Sequence, residues 1–228
     1  VTVLAIDTAT EACSAALLHE GQLYRRFEMA PRQHARLLLP MLESLLAEAG
    51  CRRRDIEWIA FGQGPGAFTG VRIAAGIAHG LAQGLGCGLF PVSTLAALAV
   101  QAGETAGQAP VLAALDARMG EVYWGCYQSA DRNPRLLGAE RVCAPDAATA
   151  EGLDVSQCVA IGPGWATYHD TLAAALGQSP ARVLPEAFPD AAHMLTIAQA
   201  RLAAGESLKT AREAQPVYLR DNVAVPGK

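Results

Sequence analysis

Val1-Thr2-Val3-Leu4-Ala5-Ile6-Asp7-Thr8-Ala9-Thr10 opens the chain, followed after Glu11-Ala12 by a second apolar run, Cys13 to His19, a Glu20-Gly21 turn and a third run, Gln22 to Met29. These stretches read as three strands joined by tight turns. A meander at the start of a domain is unlike a dinucleotide-binding fold, which alternates strand and helix from its first strand. The pattern returns further on, where Val111 to Leu115, Gly120 to Gln128 and Leu136 to Val142 form a second meander. Meander then helices, twice over, is the outline of an α/β chain of two related lobes. The length of 228 residues suits one large domain or two modest lobes at roughly 150 residues per domain.

Between the meanders, Gln33 to Ala49 reads as a helix stopped by Gly50. Ala35, Leu38, Leu42, Leu45, Leu46 and Ala49 make one stripe, whereas Leu37, Leu39 and Met41 fall outside it. A helix apolar on two sides is either sandwiched in a core or shared with a partner, and Pro40 predicts a bend. Glu57 to Phe61 reads as a short strand, Gly62 to Gly70 as a Gly-rich loop, and Val71 to Gly84 as a second helix. Gly76, Gly80 and Gly84 recur every four residues on one face of that helix. Each glycine in a helix interior costs about 1 kcal/mol relative to alanine. Close approach of another helix, within the chain or from a partner, offsets such a cost. Leu89 to Val92 reads as a strand, Ser93 as the cap of a helix running to Ala102, and Gly103 to Gln108 as the boundary between lobes. Beyond the second meander lie a strand at Val159 to Ile161, helices at Thr167 to Leu176 and Ala191 to Ala204, and an extended tail from Gln215.

Composition excludes several chemistries. Hydrophobic residues make up 51% and the net charge is −4, so a core is affordable and a broad basic surface for nucleic acid is not expected. The only lysines are Lys209 and Lys228, which removes a phosphate-loop lysine or a Schiff-base lysine from the body of the fold. The six cysteines, Cys13, Cys51, Cys87, Cys126, Cys143 and Cys158, contain no C-x-x-C pair and read as reduced thiols of a cytoplasmic protein. The five histidines show no metal-binding i, i+4 pair. No G-x-S-x-G is present for a serine hydrolase. Ile73 to Gly103 lacks a formal charge, yet its glycines, Pro91, His79 and two glutamines divide it into soluble elements rather than a membrane span.

Three constellations could carry chemistry. Asp7-Thr8-Ala9-Thr10, at the end of a strand before a tight return, can hold a metal–phosphate complex against turn amides or can simply be a turn. Gly64-Pro65-Gly66-Ala67-Phe68-Thr69-Gly70, between strand and helix, suits an anion. It is not a P-loop, since Val71-Arg72 follows where Lys-Ser/Thr should stand. Asp116-Ala117-Arg118-Met119-Gly120-Glu121-Val122-Tyr123 sets three charges around a hairpin, as an ion-pair network or a structural turn. Arg52-Arg53-Arg54 reads as a solvated basic face after a helix, with an RNA contact as the alternative.

Taken together, in order and spacing, these three strings and the tail segment Pro216-Val217-Tyr218-Leu219-Arg220 resemble the TsaB family of bacterial tRNA threonylcarbamoyladenosine biosynthesis proteins. The resemblance covers essentially the whole chain. It implies an actin/Hsp70-like (ribonuclease H-like) duplicated fold, with residues 1–105 as the first lobe and 106–228 as the second. The final helix and tail, 190–228, would return to the first lobe. It further implies a non-catalytic scaffold that works with a TsaD-like catalytic subunit and a TsaE-like ATPase. That assembly transfers threonylcarbamoyl to N6 of the adenosine beside the tRNA anticodon. No catalytic residue, metal or required cofactor is expected of this chain; ATP or ADP would belong to the assembled complex, and contact with tRNA would be indirect. In TsaD-like proteins a His-x-x-x-His binds metal after the Gly-rich helix, and the matching positions here are Thr94 and Leu98, which cannot ligate. Asp7, Thr8, Thr10, Gly64, Gly66, Thr69 and Gly70 are the candidate residues of a vestigial nucleotide site. Leu37, Leu38, Met41, Leu42, Gly76 and Gly80 are expected to line a helix–helix interface, used by a homodimer when the protein is alone and by the heterodimer otherwise. The alternatives are a phosphotransferase or ATPase using Asp7, the Gly64–Gly70 loop and Asp116 as base, and a glycoprotease-like peptidase, for which the metal ligands are missing.

Overall fold

A computed structural model describes residues 1–128 and 132–220. The first lobe carries β1 (Thr2–Asp7), β2 (Ala12–His19), β3 (Gln22–Met29), α1 (His34–Ala49), β4 (Trp58–Gly64), α2 (Phe68–Leu85), β5 (Gly88–Ser93) and α3 (Thr94–Ala106). The second carries β6 (Val111–Arg118), β7 (Glu121–Tyr127), β8 (Leu136–Cys143), β9 (Val159–Ile161), α4 (Pro163–Leu176) and β10 (Arg182–Leu184). A last helix, α5 (Ala191–Ala203), follows. The sheets run β3-β2-β1-β4-β5 and β10-β9-β6-β7-β8. In each, an antiparallel meander continues through two parallel strands, so the two sheets repeat one topology. This is the actin/Hsp70-like duplicated α/β fold.

Three apolar clusters arrange the layers. The inner faces of both sheets share one cluster, with Val3, Ala5 and Phe90 from the first, Ala113 and Ile161 from the second, and α3 and α5 packed between them. α1 and α2 cover the outer face of the first sheet, and α4 covers that of the second through Trp165 and Leu172. Ser93 of the first lobe donates a hydrogen bond to Glu140 of the second and ties the lobes together, and Tyr127 of β7 donates to the same carboxylate. Desolvation pushes the Glu140 carboxyl up.

Element ends depart from the sequence pattern for local reasons. α2 starts at Phe68 rather than Val71, because Ala67 is extended and Phe68-Thr69-Gly70 already form the first turn. α4 starts at Pro163, where proline suits the first helical position. α3 runs to Ala106, so the polar stretch from Gly103 is the last turn of a helix and the crossing between lobes falls after Gly107. Ser93 caps that helix, accepting from the Ala96 amide at 3.2 Å. α1 runs unbroken through Pro40.

α1 also corrects the expectation about its faces. Leu38, Met41 and Leu42 are 0%, 8% and 3% exposed, packed with Cys13, Ala15 and Leu17 of β2 in the chain's own core. They do not line an intermolecular surface. Leu37 packs half-buried against the same cluster, and the outward apolar residue is Leu39, 47% exposed. Of the tail, residues 215–220 have no regular secondary structure, and the remainder lies outside the described residues.

Candidate functional site

Asp7 closes β1 and is 0% exposed. Its Oδ2 accepts from the Ala9 amide at 3.3 Å, while Oδ1 is buried with no hydrogen-bond partner. Gly62 of β4 makes room for it: a Cβ at that position would fall 1.9 Å from Asp7 Oδ1. Burial raises the Asp7 pKa to about 7; the Ala9 amide opposes the rise, and the nearby Asp190 carboxylate adds to it. Asp190, also buried, caps α5 by accepting from the Ala192 amide at 2.8 Å and pairs with Arg25 of β3.

The other residues of the expected phosphate cradle form a joint. Thr8 is buried, and its hydroxyl donates to the Gly70 carbonyl at 2.7 Å. The Ala67 amide donates to the Ala9 carbonyl at 2.7 Å. A Cβ at Gly66 would stand 2.3 Å from the Ala9 carbonyl oxygen, and one at Gly70 would stand 2.0 Å from that of Thr8. These glycines let the β1–β2 turn press backbone to backbone on the start of α2. At Gly64 the close neighbour is the Val217 carbonyl, 2.8 Å from a Cβ. Thr69 is exposed on the first turn of α2.

A cavity of about 310 Å³ lies between the lobes. Thr10, Pro65 and Phe68 line it from the first lobe, Asp116, Arg118 and Tyr123 from the second, and Val217 to Arg220 along the tail. Asp7 and Thr8 do not line it. The pair required of a phosphotransferase, Asp7 and Asp116, therefore does not face one space. Asp116 accepts from the Arg118 backbone amide at 2.8 Å, and its carboxylate pairs with the Arg118 guanidinium, which also pairs with Glu11. Thr94 and Leu98 are fully buried on α3 and do not line the cavity either. Among the described residues there is no group of three His, Cys, Asp or Glu placed to hold a metal, and no helix is long and apolar enough to cross a membrane.

The outer face of α2 is built differently. Gly76, Gly80 and Gly84 are exposed, and beyond the helix's own backbone no atom of the described residues lies within 4 Å of a Cβ at any of them. Contact within the chain does not explain the stripe. Ile73, Ile77 and Leu81 border it, half-buried, so the helix offers a trough of bare backbone edged by aliphatic side chains. Near its start, the Arg72 guanidinium lies 3.4 Å from the Phe68 ring centroid and donates to the Tyr218 hydroxyl at 3.0 Å. The sequence strings contain Phe68, Arg72, Tyr218 and Arg220 but give no sign that they meet, since Arg72 and Tyr218 are 146 positions apart; no sequence pattern singles out Asp190. The basic run is dispersed in ion pairs, Arg52 with Asp55 and Arg53 with Glu43.

A family model described as "TsaD: tRNA N6-adenosine threonylcarbamoyltransferase" matches residues 27–228. The tRNA threonylcarbamoyladenosine biosynthesis protein TsaB of Escherichia coli is 43% identical, over 99% of each chain. That of Haemophilus influenzae is 38% identical, over 100% of this chain and 98% of the relative. The solved structure of YeaZ from Pseudomonas aeruginosa superposes with a TM-score of 0.88 at 46% identity, covering 96% of this chain and 99% of that one.

Proposed function

The chain belongs to the TsaB family of tRNA threonylcarbamoyladenosine biosynthesis proteins, and from that membership we propose that it is the scaffold subunit of the threonylcarbamoyl transferase. In this role it has no catalysis of its own. It supports a TsaD-like subunit and a TsaE-like ATPase in attaching threonylcarbamoyl to N6 of the adenosine beside the tRNA anticodon. The observation that carries the proposal is the empty glycine trough of α2. Gly76 and Gly80, inside α2, each weaken the helix by about 1 kcal/mol, and no contact among the described residues recovers that cost. A second helix seated on bare backbone does, because the interaxial distance of 8–10 Å for ordinary side chains shortens where glycine stands. Leu39 is a further exposed aliphatic residue, on α1. The same face would hold a second copy of the chain when the catalytic subunit is absent.

Supporting a structural rather than a chemical role, Asp7 is enclosed and the Gly64–Gly70 loop spends its contacts on Ala9, Thr8 and Val217. The test is reconstitution. Omitting this chain from a mixture of the other components should abolish threonylcarbamoyl transfer, and adding back Asp7→Ala should restore it. Failure of a folded Asp7→Ala to restore transfer would instead assign Asp7 a role in chemistry.

A further inference from the structure

We propose that residues 215–220 are a latch, an internal ligand that bridges the two lobes across the cleft. The segment leading to it is fixed on the first lobe. Lys209 exchanges two backbone hydrogen bonds with Leu89 of β5, at 2.7 and 2.8 Å. His79 of α2 bonds the Ala214 carbonyl at 2.7 Å, and Ala214 is fully buried. The latch itself begins on the same lobe, where the Val217 amide donates to the Gln63 carbonyl at 2.7 Å. Tyr218 lies against Phe68 and accepts from Arg72. Two residues on, the chain reaches the other lobe. The Arg220 guanidinium donates to the Ala117 carbonyl at 3.1 Å and to the Glu121 carboxylate, and lies 3.5 Å from Met119 Sδ.

The receiving hairpin needs such a hold. Arg118, Met119 and Gly120 all take positive φ, at 60°, 58° and 78°, a conformation that side chains other than glycine adopt at a cost. Met119 projects into solvent, so core packing does not fix the turn. Asp116 holds its start through the Arg118 amide, and Arg220 adds a second hold by drawing two backbone carbonyls and a carboxylate onto one planar cation. The cavity between the lobes is lined on one side by the latch, and a diffusible ligand must compete with Val217 to Arg220 for that side. Seated, the segment covers one side of the cleft beside the Glu11–Arg118 pair that also joins the lobes there; released, it uncovers that side. The latch stands on contacts within one chain, whether or not a partner docks on α2.

Hydrogen exchange at single amides, followed by NMR on the full chain, tests it. Glu121→Gln alters only the second lobe, whereas the Val217 amide is bonded on the first. A latch predicts that Glu121→Gln and Arg220→Ala each speed exchange at Val217 by roughly tenfold, as loss of a charge-assisted hydrogen bond should. Arg220→Lys should fall between them and the parent, and amides of β1 should keep their protection in all three. Unchanged exchange at Val217, or a rise confined to residues 118–121, overturns the proposal.

Discussion

Replacing Gly80 by leucine should move stability and association in opposite directions. Beyond the helix's own backbone no atom of the described residues lies within 4 Å of a Cβ at Gly80, and the residue sits exposed mid-helix in α2, so the new β-carbon points into open space. Leucine is nearly as good a helix former as alanine, and the gain over glycine is about 0.8 kcal/mol. For a chain of this size that raises Tm by roughly 2–3 °C. On the trough, the same side chain fills space reserved for another helix, and overpacking costs about 1–3 kcal/mol. At 1.4 kcal/mol per decade this weakens association by roughly 5- to 150-fold. The melt belongs at sub-micromolar protein, where self-association contributes little to Tm. Affinity for the TsaD-like subunit is read by calorimetry. A fall in Tm would mean that Gly80 is packed inside the monomer. Unchanged affinity would mean that the trough is not the docking surface, and the scaffold reading would lose its main support.

Gly62→Ala places a methyl group 1.9 Å from the Asp7 carboxylate and should cost about 1–3 kcal/mol, seen as a lower denaturant midpoint with little change in slope. Asp7 should make stability fall as pH rises. Its folded pKa of about 7 exceeds the ordinary 3.8, so between these values the folded state holds a proton that the unfolded state has released. The loss accumulates from about pH 4 to pH 7, on the order of a few kcal/mol, and Asp7→Asn should flatten that slope in urea melts taken across the range. Asp190→Asn keeps an α5 cap but removes the negative charge that helps to raise Asp7. The midpoint of the slope should therefore move to lower pH, and an unmoved midpoint would show that the two carboxyls do not interact.

Much of the architecture is legible along the chain. β3 and β9 occupy the predicted residues, and the other strands of both meanders shift by at most a few residues at their ends. Alternation, turn residues and apolar runs are local signals. Missed elements had weak or ambiguous ones. β10 is three residues long, and the first turns of α2 and α4 hide among glycines and a proline that resemble loop. The site divides along the same line. The sequence marked Asp7 as a carboxylate ending a strand, the Gly64–Gly70 loop as a helix entry and the stripe on α2 as a cost in need of a reason.

By itself, then, the sequence determined which segments are strands and helices, how they repeat, and through its motifs which family the chain resembles. These properties depend on residues a few positions apart. The tertiary structure decided which side of each element faces inward. α1 carries leucines on two sides, and only the sheet beneath it selects Leu38 and Leu42 for the core and leaves Leu39 outside. The same is true of Asp7, enclosed by Gly62 and neighbouring Asp190, and of Arg220, which finds its partners about a hundred residues away. Burial and charge pairing arise between elements brought together only by folding, and no local pattern encodes which of two apolar faces will meet a partner.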